Sequence, residues 1–134
     1  MKKPIRVLLV DDNLSFITAA QDFIQLQKEF LVAGIATQEE SAITQAVQLQ
    51  PDIILLDLNL GDNSGLGLIP LFKEMMPTTK IVILTIMQDK GYRLAAEQAG
   101  ADAFVLKTDM VWVLFPTLFQ VMENEKAEPD NPKG

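Results

Sequence analysis

The stretch Val7-Leu8-Leu9-Val10-Asp11-Asp12-Asn13 carries four apolar, strand-type residues straight into two adjacent carboxylates. A run that is apolar at every position, rather than at alternate ones, is what a parallel strand buried on both faces requires. Its two acids then stand at the carboxyl end of that strand, where like charges repel unless a cation sits among them. Similar runs recur along the chain, and the strand candidates are Ile5 to Val10, Leu31 to Ala36, Asp52 to Leu56, Lys80 to Leu84 and Ala103 to Leu106. Between them apolar residues repeat at helical spacing: Phe16, Ala19, Ala20, Phe23 and Phe30, then Ala42, Ala46 and Val47. Leu68, Ile69, Phe72 and Met76 follow, and after them Tyr92, Ala95, Ala96 and Ala99. Thr37 with Glu40 predicts a capping box for the second helix, Pro51 stops that helix, and Gly100 stands where a left-handed C-terminal cap is wanted. Strands alternating with helices over short connections predict an α/β fold, a doubly wound five-stranded parallel sheet with helices on both faces.

The composition limits what such a domain does. With 134 residues the chain has the length of one domain, large enough to bury a continuous core. A net charge of -7 argues against a nucleic-acid footprint, so any DNA contact belongs to a domain absent from this chain. Cysteine is absent, which excludes disulfides, thiolate metal sites and a thiol nucleophile. Histidine is absent too, which excludes imidazole acid/base chemistry and a phosphohistidine carrier within the chain. No apolar run approaches the ~18 residues of a membrane span, and the start MKKPIRVLLVDDN shares only its lysines with a signal peptide. The expectation is a cytoplasmic protein.

The segment from Asp109 to Glu125 is apolar nearly all round, through Met110 to Phe115 and again at Leu118, Phe119, Val121 and Met122. A helix of that kind has one face to spare for a partner, either a second copy or an output domain. Pro116 inside it either kinks the helix or marks its first turn. The polar end EKAEPDNPKG reads as a tail or the start of an interdomain linker, which divides the chain into a domain over 1–124 and a tail over 125–134.

In doubly wound sheets ligands bind outside the carboxyl ends of the strands, so the charged residues are sorted by strand end. Asp11 and Asp12 follow the first strand, Asp57 the third, Thr85 the fourth and Lys107 the fifth. Three converging carboxylates imply a metal, and all-oxygen ligands with room left for water and phosphate oxygens suit Mg²⁺. Lys107 supplies a point charge for a phosphate-like anion and Thr85 a hydroxyl donor.

The pieces LLVDDN, LLDLNLGDNSG, VILT and FVLK, in that order and each at the end of a strand, resemble the receiver domains of two-component response regulators. The likeness runs from Ile5 to Met122 and is most like receivers attached to helix-turn-helix (LuxR-type) DNA-binding domains. It implies a flavodoxin-like strand order of 2-1-3-4-5. It also implies that Asp57 is the phosphoacceptor, that Asp12 and Asp57 contact Mg²⁺ directly, that Asp11 acts through water, and that the Asn59 backbone carbonyl completes the metal shell. Thr85 takes the role of the switch hydroxyl, Lys107 that of the lysine bridging to the phosphoryl group, and Phe104 that of a switch aromatic that turns inward on activation. A sensor histidine kinase is the implied phosphoryl donor and partner, and the domain is a signalling phosphoacceptor rather than an enzyme with its own substrate.

Three positions depart from the pattern. Gly61 stands where a proline is common and is expected to loosen its loop. Ile86 stands where receivers keep a small residue and is expected to narrow access to Asp57. Thr108 stands where many relatives have a proline. Each site residue also has an ordinary role open to it: strand-end turn acids for Asp11, Asp12 and Asp57, a backbone-satisfying hydroxyl for Thr85, a loop lysine for Lys107 and core packing for Phe104. The rival functions are a phosphorylation-independent dimerisation or docking module, favoured by Ile86, and a haloacid-dehalogenase-type phosphatase. The latter wants a second acid where Asn59 stands. A flavin-binding role lacks a hydroxyl-rich phosphate loop.

Overall fold

In the computed structural model, residues 3–61 and 63–127 are described. The main strands are β1 (Ile5–Val10), β2 (Phe30–Ala36), β3 (Ile53–Leu56), β4 (Lys80–Thr85) and β5 (Ala103–Leu106). They form one parallel sheet of order β2-β1-β3-β4-β5, as the alternation predicts. The helices are α1 (Leu14–Ile24), α2 (Glu39–Leu49), α3 (Leu68–Met75), α4 (Lys90–Ala99) and α5 (Met110–Ala127). A two-residue antiparallel ladder, Asn59–Leu60 against Asn63–Ser64, follows β3 and was not foreseen.

The central strands are apolar at all but Arg6, Lys80 and Thr85 because both faces are covered. Leu8, Val10, Ile54, Leu56, Ile81 and Ile83 pack on one side with Ala42, Ala46, Ile69 and Phe72 of α2 and α3. Val7, Leu9, Ile53, Leu55, Val82 and Leu84 pack on the other with Ile17, Ala20 and Ile24 of α1 and Leu114 and Leu118 of α5. Each of these Val, Leu, Ile and Phe side chains contributes about 1.5–3 kcal/mol on full burial, and the alanines less.

Several local expectations shift. The cap of α2 falls one residue later than Thr37, because the Gln38 backbone N–H donates to Ser41 Oγ at 3.3 Å in place of the Thr37/Glu40 box. Asp52 precedes β3, where its Oδ2 accepts the Arg6 N–H at 2.8 Å. Phe30 opens β2 rather than continuing the helical repeat of α1, whose buried positions are Ile17, Ala20 and Ile24, while Ala19 is exposed. Val47 likewise faces solvent. Gly100 is the left-handed C-cap of α4, with φ 116°. Pro116 lies inside α5, which runs through it. That helix buries Leu114, Leu118 and Val121 and leaves Val111 and Trp112 exposed, Trp112 to 79%. It also extends to Ala127, into the segment read as a tail; residues 128–134 of that segment lie outside the described residues. No helix among the described residues is long and apolar enough to cross a membrane.

Candidate functional site: an acidic cleft at the strand ends

The ladder of β1 delivers the acids. Beyond the last residue of the strand, Asp11 N–H still donates to Ala36 O at 3.0 Å, and Asp57 N–H donates to Val10 O at 2.9 Å. These two bonds hold the neighbouring carboxylates side by side at the point where strand order reverses. Asn13 then caps α1, its side-chain oxygen accepting the Phe16 N–H at 3.0 Å. One short motif therefore supplies two acids and starts the helix that walls the cleft.

Carboxylate oxygens of Asp11, Asp12 and Asp57 lie within 4.8 Å of one another, with Asp11 and Asp57 buried and Asp12 exposed. Asp11 Oδ2 accepts Lys107 Nζ at 2.7 Å and Asp57 Oδ2 accepts the same ammonium at 3.1 Å. The remaining oxygens of these two acids are held by backbone: Asn13 N–H donates to Asp11 Oδ1 at 2.9 Å, and Asn59 N–H to Asp57 Oδ1 at 3.1 Å. Lys107 also sits over the Phe16 ring, 4.0 Å from its centroid. Burial pushes the Asp11 carboxyl up; the bonds from Lys107 and Asn13 pull it back, the Asp57 charge raises it again, and the net direction is upward. Burial pulls the Lys107 ammonium down, but its bonds to Asp11 and Asp57 outweigh that and leave it raised.

The donor set fits a hard divalent cation. Three carboxylates and no imidazole or thiolate are present, and one lysine cannot neutralise three acids. Above them opens a cleft of about 360 Å³ lined by Asp12, Asn13, Phe16, Asp57, Asn59, Ile86, Lys107 and Thr108. Ile86, expected to narrow this entrance, stands on its rim and is 62% exposed.

Thr85 follows the register of β4 and is fully buried; its hydroxyl accepts the Met87 N–H at 3.3 Å, and it does not line the cleft. Phe104 is half-buried on β5 against the face that α4 covers, with the Arg93 guanidinium 5.4 Å from its ring centroid. The cluster thus brings together Asp11, Asp12, Asp57, Asn59 and Lys107, and sets Thr85 and Phe104 outside it.

At Gly61, the position expected to loosen its loop, the backbone takes a turn that proline could not follow. It adopts φ 61°, which a proline ring forbids, and its N–H donates to Asp12 Oδ2 at 2.9 Å, a bond that proline cannot make. Gly65 was missed altogether. A Cβ there would stand 2.6 Å from the Asp57 carbonyl oxygen, and the Gly65 N–H donates to Leu58 O at 2.7 Å. Its signal in the sequence was the glycine of LGDNSG. Phe16 was read only as part of a core repeat, and its place three residues past the capping asparagine was the clue to its position beside the acids.

A doubly wound sheet with three acids and a half-buried lysine gathered at its topological switch point defines a flavodoxin-like α/β domain whose acidic cleft is compatible with a divalent cation. The model of the response regulator receiver domain matches residues 7–111. The chain is 30% identical over 124 residues to the response regulator protein VraR of Staphylococcus saprophyticus, covering 92% of this chain and 59% of that protein. It is 31% identical over 106 residues to the nitrate/nitrite response regulator protein NarL of Escherichia coli K12, covering 79% of this chain and 49% of that one. This chain therefore spans about half to three-fifths of the length of these curated relatives, and it belongs to the response regulator receiver domain family. Among solved structures, a LuxR-family two-component response regulator from Aurantimonas sp. SI85-9A1 superposes with a TM-score of 0.86 at 23% identity, over 91% of this chain and 87% of that one. The non-phosphorylated receiver domain of RcsB from Escherichia coli superposes with a TM-score of 0.82 at 18% identity, over 91% and 95%. At these identities the likeness is one of fold.

Proposed function

We propose that the domain accepts a phosphoryl group on Asp57 from a partner histidine kinase, with Mg²⁺ bound, and that the change in charge switches an output such as transcription. The observation that carries this reading is the meeting of Asp57 with Lys107 at 3.1 Å inside a cluster whose carboxylates lie within 4.8 Å. A lone turn acid would have neither the half-buried ammonium nor the companion acids.

The chemistry is a displacement. An Asp57 carboxylate oxygen forms a bond to phosphorus as the bond from phosphorus to the donor's imidazole nitrogen breaks, leaving an aspartyl phosphate, and the nitrogen keeps the electron pair. A bound divalent cation supplies charge neutralisation for phosphoryl oxygens. Asp11, Asp12, Asp57 and the Asn59 carbonyl are the groups that would hold it. Lys107 neutralises a phosphoryl oxygen from the other side, and the Asn59 N–H keeps Asp57 oriented. Thr85 is the hydroxyl that turns toward the new phosphoryl group, and Phe104 the aromatic that follows it inward. The unit covers residues 1–124, with 125–134, into which α5 extends as far as Ala127, a tail or the start of an interdomain linker, and it works in the cytoplasm, where kinase and target meet.

The exposed Val111 and Trp112 of α5 support a second copy or an output domain as the partner of that helix. The rival reading, a receiver that docks without phosphorylation, rested on Ile86, and the position of that residue on the rim of an open cleft weakens it. Incubation with acetyl phosphate and Mg²⁺ followed by intact mass measurement tests the proposal. One added phosphoryl group, lost in Asp57→Ala, is expected; an unmodified mass where a control receiver is labelled favours the docking module.

A further inference from the structure

The Lys107 ammonium has two acid partners and one aromatic one, and the acid partners are the residues that a divalent cation would claim. Asp11 Oδ2 at 2.7 Å and Asp57 Oδ2 at 3.1 Å belong to the same carboxylate cluster. Two cations then compete for the same acids, and the weaker claim is that of the single positive charge on a flexible four-carbon stem. An ammonium displaced from a site where its side chain is only 11% exposed needs another partner nearby, or it leaves for water.

The Phe16 ring meets that need without competing for the acids. Its centroid is 4.0 Å from Nζ, well inside the ~6 Å over which a ring face attracts a cation. The ring is held in place, because the Phe16 N–H is bonded to the capping Asn13 side chain at 3.0 Å and the side chain packs against the core beneath α1. Core packing alone does not account for the contact. The fully covered face of α1 is supplied by Ile17, Ala20 and Ile24, whereas Phe16 is half-buried and lines the cleft.

We propose that Phe16 is a positioning residue that keeps the Lys107 ammonium beside Asp57 when a divalent cation takes over the carboxylates. The proposal deepens the phosphoacceptor reading and rests on it for its consequence, though not for the contact itself. With Phe16 in place, Lys107 remains available to an incoming phosphoryl oxygen. Without it, the same lysine reaches the site only part of the time.

Two measurements on the whole chain test this. In the first, the Lys107 methylene protons next to Nζ are followed by nuclear magnetic resonance during a Mg²⁺ titration, without any phosphodonor. A ring-current upfield shift that persists at saturating Mg²⁺, and disappears in Phe16→Leu, is expected; loss of the shift on adding Mg²⁺ to the unsubstituted chain overturns the proposal. In the second, labelling by acetyl phosphate is compared for Phe16→Leu, Phe16→Tyr and the parent. The leucine variant should lose roughly three- to thirtyfold in rate at saturating donor, the range spanned by one cation–π contact, with Mg²⁺ affinity within about twofold. The tyrosine variant, which restores an aromatic face and the fold together, should recover the rate. Equal rates for leucine and parent overturn the proposal while leaving the phosphoacceptor reading intact. A parent that is not labelled at all defeats that reading, and the resonance experiment still decides whether Phe16 holds the ammonium.

Discussion

Replacing Asp11 by asparagine should stabilise the cation-free protein even though it removes a buried ion pair. Asp11 gains from Lys107 at 2.7 Å, an attraction of about 6 kcal/mol at an effective dielectric of about 20. Against it stands the repulsion from Asp57, about 3.5 kcal/mol at the 4.8 Å bound. The charge terms leave only a small net attraction, so the cost of burying the charge decides the sign, in keeping with the upward shift whose largest cause is burial. Asparagine keeps one oxygen for the Asn13 N–H and turns its amide nitrogen toward Lys107, which retains Asp57 as its acid partner. We expect a gain of about 1–2 kcal/mol near neutral pH, or a few degrees in Tm. Linkage gives the pH signature. A carboxyl raised from 3.8 in the folded state contributes stability that is full below 3.8 and is lost as pH rises through its folded value. The gap between variant and parent should therefore be small in acid and open above pH 3.8. Calorimetric melts in chelator, against pH, measure it. A lower Tm for the variant, or a gap independent of pH, would refute the electrostatic account; added Mg²⁺ should close the gap by stabilising the parent more.

Gly61→Ala should cost about 1–2 kcal/mol through its left-handed backbone alone, since open space surrounds the position, and Gly61→Pro more, because it also loses the bond to Asp12; equal urea midpoints for the two would contradict this. Gly65→Ala should cost about 1–3 kcal/mol and slow labelling, because a methyl group 2.6 Å from the Asp57 carbonyl must displace the backbone that carries the acceptor; an unchanged labelling rate would show that the backbone gives way elsewhere. If Thr85 turns toward a phosphoryl group, its hydroxyl leaves the Met87 N–H, and hydrogen exchange at Met87 should speed up with a phosphoryl mimic, up to about tenfold for one such bond. Sedimentation should detect self-association with that mimic and its loss in Trp112→Ala; the same monomer throughout removes α5 as a self-association surface.

The fold was legible because the main signals were redundant. Five apolar runs, the three central ones buried on both faces, leave little freedom for anything but a parallel sheet, and the strand bounds moved by no more than a residue. The acids were legible for the same reason: they stand at strand ends, and topology brings strand ends together. What sequence missed depends on backbone direction. Whether Gly61 loosens a loop or donates to Asp12 depends on the sign of φ, to which a glycine is indifferent. Phe16 shares its spacing with core residues, and only the cap at Asn13 fixes that the ring lies along the cleft rather than beneath it. Thr85 and Phe104 carry no cluster signal, because their proposed roles belong to a second conformation.

The arrangement also explains why such a site suits a switch. Asp57 offers one oxygen to Lys107 and the other to a backbone N–H, so the cleft holds one mobile cationic group and little else to answer new negative charge. Under the proposed function a phosphoryl group would draw Lys107 toward itself and away from Asp11, leaving a buried acid without its closest partner. That loss is tolerable only if positive charge is supplied beside Asp11 at the same time. Phosphorylation and cation binding are then coupled through one lysine, and linkage makes the coupling reciprocal: the factor by which phosphorylation tightens cation binding is the factor by which the bound cation shifts the phosphorylation equilibrium. Asp11 of VLLVDDN, its carboxyl pushed up by burial, carries a charge that opposes the resting fold, and that opposition makes the strand ends responsive to what binds there.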